Sequence, residues 1–265
     1  MLIAVRHGRT ALNEAASRSW LDLPLTPLGR GEALNAAAEF QNYPHVDALH
    51  SSDFARALQT AEPISNVLGL PVQSSAALRT WHMGDHSGKP KETVREDVQR
   101  LAHSPDTPAP NGESLNSFLD RFLPAVHPMI ESPQTHVLVT HGRNIQALMG
   151  LVAGHGMDVD PSAFHGEIPV KNGGLLVITP DWNATIHNPK VRAIPQLPPK
   201  GAEIGKSAFE YLTDLTGATE AAAAPLQHTT RELTDRVADH VPHALRSTRP
   251  GPPRLDRRGD PPPAV

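Results

Sequence analysis

The sequence predicts a three-layer α/β/α fold on a mainly parallel central sheet, followed by a partly helical and partly disordered C-terminal extension. Three observations carry this expectation. Leu2–Val5 and His136–Thr140 are short continuous apolar runs of the kind buried on both faces of a parallel sheet. Segments with helical spacing alternate with such runs. Beyond Lys190 the apolar pattern fades and 11 of the 27 prolines accumulate, which sets a boundary between a folded domain at 1–190 and an extension at 191–265.

The elements follow in order. Leu2–Val5 is the first strand, so Arg6-His7-Gly8 lies at its carboxyl end. Thr26-Pro27 reads as an N-cap with proline at the first helical position, opening a helix through Ala33, Leu34, Ala37 and Ala38 to about Tyr43. Val46–His50 supplies a strand, and Phe54–Leu68 a helix that Gly69 stops. Val72 marks a short strand. Between Glu113 and Glu131, Leu115, Phe118, Phe122, Val126 and Ile130 recur at helical period, while Pro124 and Pro128 predict a kink or a break. The run His136–Thr140 is the second clear buried strand, followed by a helix over Asn144–Val152. Gly174–Thr179 and Ala184–His187 form a closing antiparallel pair. The 82–112 and 154–170 stretches read as loops. In the extension, Ser207–Leu215 and Thr229–Leu245 have narrow apolar stripes, and the chain reads as disordered from about residue 246.

Composition bounds the function. Hydrophobic residues make up 38% of 265 positions, but three Trp, two Tyr and six Phe mean that the core must be mostly aliphatic. Without cysteine there is no disulfide or thiolate metal site, and the cytoplasm is the default compartment. No apolar run reaches the ~18 residues of a membrane span, and none near the first residues has signal-peptide character. The net charge of −4 argues against nonspecific nucleic-acid binding. Residues 1–190 carry 14 basic and 19 acidic groups, so arginines clustered at motifs in an acidic body suggest a local anion site.

Two blocks stand out chemically. Arg6-His7-Gly8-Arg9-Thr10, with Asn13 close behind, follows the first strand; Thr140-His141-Gly142-Arg143 follows a later one. Between them, Ser51-Ser52-Asp53-Phe54-Ala55-Arg56 carries an arginine into a helix. In open α/β sheets ligands bind beyond the carboxyl ends of strands. Two histidines with Arg6 and Arg56 at that edge suit a tetrahedral oxyanion, because guanidinium offers planar, permanently charged donors. The backbone amides after each histidine, at helix N-termini, would add to them. Arg9 and Arg143 read either as substrate contacts or as solvated surface charges.

Together with Leu25-Thr26-Pro27-Leu28-Gly29, these motifs resemble the histidine phosphatase superfamily, also called phosphoglycerate mutase-like, over about the first two-thirds of the chain. The resemblance implies a metal-independent phosphomonoester hydrolase without cofactor. His7 would be the nucleophile that carries a transient phosphohistidine, with its other ring nitrogen pinned by a backbone carbonyl. Arg6, Arg56, His141 and Gly142 would bind the phosphoryl group, with Asn13 as a further amide. The substrate would be a phosphorylated small molecule or phosphoprotein, with neither nucleic acid nor membrane as partner.

The chain departs from the family in Leu78-Arg79-Thr80-Trp81-His82-Met83-Gly84-Asp85-His86-Ser87-Gly88, where Thr80 occupies the position of the family's acidic glutamate. A threonine cannot protonate a leaving oxygen as a carboxylic acid does. Asp85, in the same loop, is the favoured acid, which makes it the third catalytic residue with His7 and His141; the alternatives are that His82 serves, that the leaving group needs little help, or that the protein binds phosphoesters without turning them over. Asp85 also has a structural reading, as a residue that ties a backbone turn. A metal site from His82, Asp85 and His86 is not expected, because nothing fixes their spacing on one face. Pro110-Asn111-Gly112-Glu113-Ser114 reads as a helix cap, and Asn172-Gly173 as a turn that brings an amide near the pocket. A mutase is the alternative activity, disfavoured because Leu12, rather than tryptophan, precedes Asn13 and the 88–113 region is short. A scaffold that recruits a protein partner through the extension is the other.

Overall fold

The computed structural model describes residues 1–190 except 18, 19, 44, 157, 160 and 166. The expected helices and disorder of the 191–265 extension lie outside the described residues. In chain order the elements are β1 (Leu2–Arg6), α1 (Ala11–Glu14), α2 (Pro27–Glu39), β2 (Ala48–Ser52), α3 (Ala55–Leu68), β3 (Val72–Ser75), α4 (Arg95–His103), α5 (Leu115–Glu131), β4 (His136–Thr140), α6 (Gly142–Ala153), β5 (Leu175–Ile178) and β6 (Ala184–His187).

The six strands form one sheet in the order β3-β2-β4-β1-β5-β6. The β3-β2-β4-β1 block is parallel; β5 runs antiparallel to β1, and β6 antiparallel to β5. Alternation within β1 divides the core into two layers. Leu2 and Ala4 join Leu138, Phe118, Phe122 and Leu148 on one face, whereas Ile3 and Val5 join Val137, Val139, Ala37, Ala61 and Ile64 on the other.

Several boundaries differ from expectation for identifiable reasons. Strand β2 begins two residues late, because Asp47 is held outside the ladder by Thr135, and it extends through buried Ser51 and Ser52. Helix α5 runs unbroken through Pro124 and Pro128. Both prolines lie on its exposed side, one turn apart, while Phe122, Val126 and Met129 are buried, so the carbonyls that lose a donor are on the side open to water. Helix α4 falls inside the stretch read as a loop; Val98, Leu101 and Ala102 are its only buried residues. Thr26 does cap α2, accepting from Gly29 N–H at 3.1 Å, and Gly69 ends α3 in the left-handed conformation at φ 66°. No helix among the described residues is long and apolar enough to cross a membrane.

The topology fixes where a ligand can sit. From β1 the chain passes beyond β4 to reach β2, whereas from β4 it passes beyond β1 to reach β5. The strand order therefore reverses between β1 and β4, which opens a crevice at their carboxyl ends. Arg6 pairs with Thr140 in register, and His7 N–H extends the ladder to the Thr140 carbonyl at 2.9 Å.

Candidate active site

His7 and His141 thus emerge side by side at the crevice, one residue past neighbouring strand ends. Their ring centroids are 5.1 Å apart with planes at 63°, and both are buried, at 5% and 2% exposure. Hydrogen bonds assign their tautomers. His7 Nδ1 lies 2.6 Å from the Gly8 carbonyl, which can only accept, so Nδ1 carries the proton and Nε2 presents a lone pair. Arg56 Nε donates to His141 Nδ1 at 3.2 Å, so in its neutral form His141 carries its proton on Nε2. That Nε2 is buried and has no partner among the described residues. One imidazole is prepared to attack and its neighbour to donate.

The arginines are held by neutral acceptors. Arg56, 1% exposed, also donates to the Leu21 carbonyl at 2.6 Å and lies over the Phe54 ring at 4.8 Å. Arg6 donates to the Val170 carbonyl at 2.7 Å, and its buried Nε has no partner among the described residues. Burial lowers the pKa of each guanidinium to about 10. Burial, and then the adjacent Arg56, hold His7 and His141 well below the ordinary imidazole pKa. Both rings are therefore neutral at pH 7, with positive charge supplied by the arginines.

Close backbone packing shapes the loop after β1. A Cβ on Gly8 would strike the Gly29 carbonyl, and one on Gly29 would strike Arg9, so helix α2 presses its first turn against the motif. Gly142 opens α6 under Ile168, whose Cδ1 a Cβ at residue 142 would displace. Its amide belongs to the first helical turn, where no intrahelical acceptor exists. The Gly8 amide differs from expectation: it donates to Thr60 Oγ1 at 3.1 Å and lies three residues before the short α1.

Other expected residues take different roles. Asn13 folds its Oδ1 back onto Thr10 N–H at 3.1 Å, which caps α1. Arg9 is exposed but paired: it meets buried Glu32 through Nε at 2.9 Å and through its backbone N–H at 2.8 Å. Arg143 is buried and donates to Gln146 and the Phe164 carbonyl. Asp85 is exposed, and both its oxygens accept from Asn111 Nδ2 at 3.1 Å, the geometry of a turn tie rather than of a proton donor.

The loop at 76–82 is braced from behind. Arg121 donates to the carbonyls of Ala77, Arg79 and Thr80 and pairs with Glu113 at 2.7 Å; Glu113 in turn accepts from His82 N–H at 2.8 Å. Ser114, not Glu113, caps α5. The His82 ring lies 4.3 Å from Trp20, Trp20 lies 5.0 Å from Phe54, and Phe54 lies 5.7 Å from His141, which connects His82 to the crevice through aromatic contacts. Asn172 Nδ2 donates to the His7 carbonyl at 2.8 Å, so that turn positions the nucleophile's backbone. Trp20 and Thr60 were not singled out from sequence. Neither lies in a motif, and only the tertiary contacts expose their roles.

The neutral histidines make stability depend on pH. Folded-state pKa values are depressed for His7, His141, His50 and His136, with burial the largest cause in each. The unfolded chain binds protons near pH 6.5 while the folded one resists them, so this contribution is complete above about pH 6.5 and is lost as pH falls below it. Buried Glu32, whose pKa burial raises, opposes this trend as a single group. The midpoint of thermal unfolding is expected to fall between pH 7.5 and 5.5; a constant or rising midpoint in differential scanning calorimetry would contradict the neutral pair.

Comparison with known proteins agrees with this geometry. Residues 2–184 match the histidine phosphatase superfamily (branch 1). The chain is 37% identical over 172 residues to a glucosyl-3-phosphoglycerate phosphatase of Mycolicibacterium vanbaalenii, covering 59% of this chain and 76% of that one. It is 32% identical over 163 residues to a 2,3-bisphosphoglycerate-dependent phosphoglycerate mutase of Nitrobacter winogradskyi, covering 56% and 79%. Among solved structures, a mycobacterial glucosyl-3-phosphoglycerate phosphatase complexed with VO3 superposes with a TM-score of 0.55 at 28% identity, covering 66% of this chain and 90% of that one. With the matched span running from the first strand to the last and both strand-end histidines inside it, the chain belongs to the histidine phosphatase superfamily.

Proposed function

We propose that the protein hydrolyses a small-molecule phosphomonoester through a phosphohistidine on Nε2 of His7. The tautomer pair supports this reading: His7 offers a lone pair and His141 an N–H to the same crevice. Arg6, Arg56, His141 Nε2–H and the Gly142 amide hold the three equatorial oxygens, where negative charge spreads in the transition state. Nε2 forms the N–P bond as the ester P–O bond breaks in line. The departing alkoxide takes a proton from a general acid, whose conjugate base then accepts a proton from the water that attacks phosphorus; the N–P bond breaks, Nε2 returns to His7 and inorganic phosphate leaves.

For the first of those protons we assign His82 in place of Asp85. Its backbone is anchored by Glu113, and its ring joins the crevice through Trp20 and Phe54. Hydrolysis of p-nitrophenyl phosphate is expected with a chelator present; a folded protein that turns over no aryl phosphate would instead be a binding module. Protonation matters most for poor leaving groups. His82→Gln should therefore slow an alkyl phosphate by about a hundredfold or more and p-nitrophenyl phosphate much less, whereas Asp85→Asn should change both little. The reverse pattern would restore Asp85 as the acid.

A further inference from the structure

The aromatic contacts continue outward from the phosphoryl crevice and carry information about the other half of the substrate. Phe54 is nearly buried and lies between two guanidiniums, Arg56 at 4.8 Å on the crevice side and Arg79 at 5.0 Å toward the rim. Trp20 meets Phe54 edge-on at 75° and His82 at a tilted 53°. Neither contact is a parallel stack, and Trp20 remains half-buried, so indole surface is left for a ligand.

The charges at this rim are informative. Arg79, at 38% side-chain exposure, is already engaged by Asp53 through two parallel bonds of 2.7 and 2.6 Å. Asp22 adds an exposed carboxylate, with one oxygen accepting from Ala55 N–H at 2.6 Å. Among the described residues, two carboxylates, Asp53 and Asp22, therefore act on the Arg79 guanidinium. Farther back, Arg9 and Arg121 are likewise paired, with Glu32 and Glu113. A second anionic group on the substrate would have to displace Asp53 from a bidentate pair and approach Asp22, both of which are unfavourable.

A hydroxylated ring meets the opposite conditions. Its C–H face is apolar and gains by covering indole, while its peripheral hydroxyls can donate to carboxylates. We propose that the alcohol portion of the substrate is an uncharged, hydroxyl-bearing ring of sugar type seated on Trp20, with Asp22 accepting from its hydroxyls. This rests on the phosphomonoesterase reading and deepens it, since it separates the chain from enzymes whose substrate carries a second acid group.

The test compares kcat/KM for a hexose 6-phosphate, 3-phosphoglycerate and ethyl phosphate in the intact chain and in Trp20→Ala, with p-nitrophenyl phosphate as the reference for the chemistry. The hexose phosphate should exceed 3-phosphoglycerate by about tenfold or more. Because Trp20 also touches His82, any kcat loss in Trp20→Ala is shared by the alkyl esters, and the readout is KM: it should rise about tenfold for the hexose phosphate and stay within about twofold for ethyl phosphate. Preference for 3-phosphoglycerate, or an equal change in KM for all three esters in Trp20→Ala, would overturn the inference while leaving the phosphomonoesterase reading in place. A chain that turns over none of the four compounds would overturn both.

Discussion

Replacing His7 with alanine is expected to lower kcat by about four to six orders of magnitude, the scale typical of removing a covalent nucleophile. No neighbouring group is arranged to substitute. His141 accepts from Arg56 on Nδ1 and carries a proton on Nε2, so it has no lone pair free to attack without breaking that bond. The substitution removes the side-chain bond to the Gly8 carbonyl but leaves the β1 ladder and the Asn172 contact to the residue 7 backbone. Circular dichroism should therefore report a folded protein. Two readouts check the prediction: steady-state turnover, and quenched-flow trapping of an acid-labile phosphoenzyme present in the parent chain and missing in the variant. Activity within tenfold of the parent would remove His7 from the mechanism.

Arg56→Ala should cost about a hundredfold to a thousandfold in kcat/KM, as for loss of one preorganised donor to a developing oxyanion. The residue acts in two ways, by its own charge and by fixing the proton of His141 on Nε2. Arg56→Lys should recover little. A single ammonium cannot reproduce a planar fork that bonds the His141 ring and the Leu21 carbonyl at once while lying on Phe54. Competitive inhibition by inorganic phosphate should weaken in parallel. Full recovery by lysine would mean that the pocket needs only a positive charge there.

Much of the architecture was legible because its signals are local. Leu2–Val5 and His136–Thr140 are apolar without interruption, Thr26-Pro27 has one sensible reading, and Gly69 stops a helix by a backbone conformation that suits glycine. The strand-end histidines with Arg6 and Arg56 could be placed by the rule that sheets bind ligands at carboxyl ends. Long-range partnerships could not be read this way. Glu32 follows Arg9 by 23 positions, and nothing in the spacing says that it neutralises that arginine rather than facing solvent. Helix α4 is written mostly in charged and polar residues, so its three buried side chains make too weak a stripe to detect. Asp85 shows the limit most clearly. Its place in the loop fitted an acid, and only the position of Asn111 across the turn shows where its oxygens are engaged.

The placement of β1 in the sheet has a consequence for how the protein comes to be active. Of the sheet's strands it is the first synthesised, yet its partners are β4 and β5, which follow more than 130 residues later, and the Met1 amine donates to the Gln134 carbonyl at 2.8 Å. On the ribosome the Arg6-His7-Gly8 motif must therefore wait, unpaired, until most of the domain has emerged. Closing that long loop is slow compared with forming the local helices. Phosphatase activity should thus appear late and all at once during synthesis, which makes it a reporter of completed folding, and truncations that end before β5 should have no trace of it.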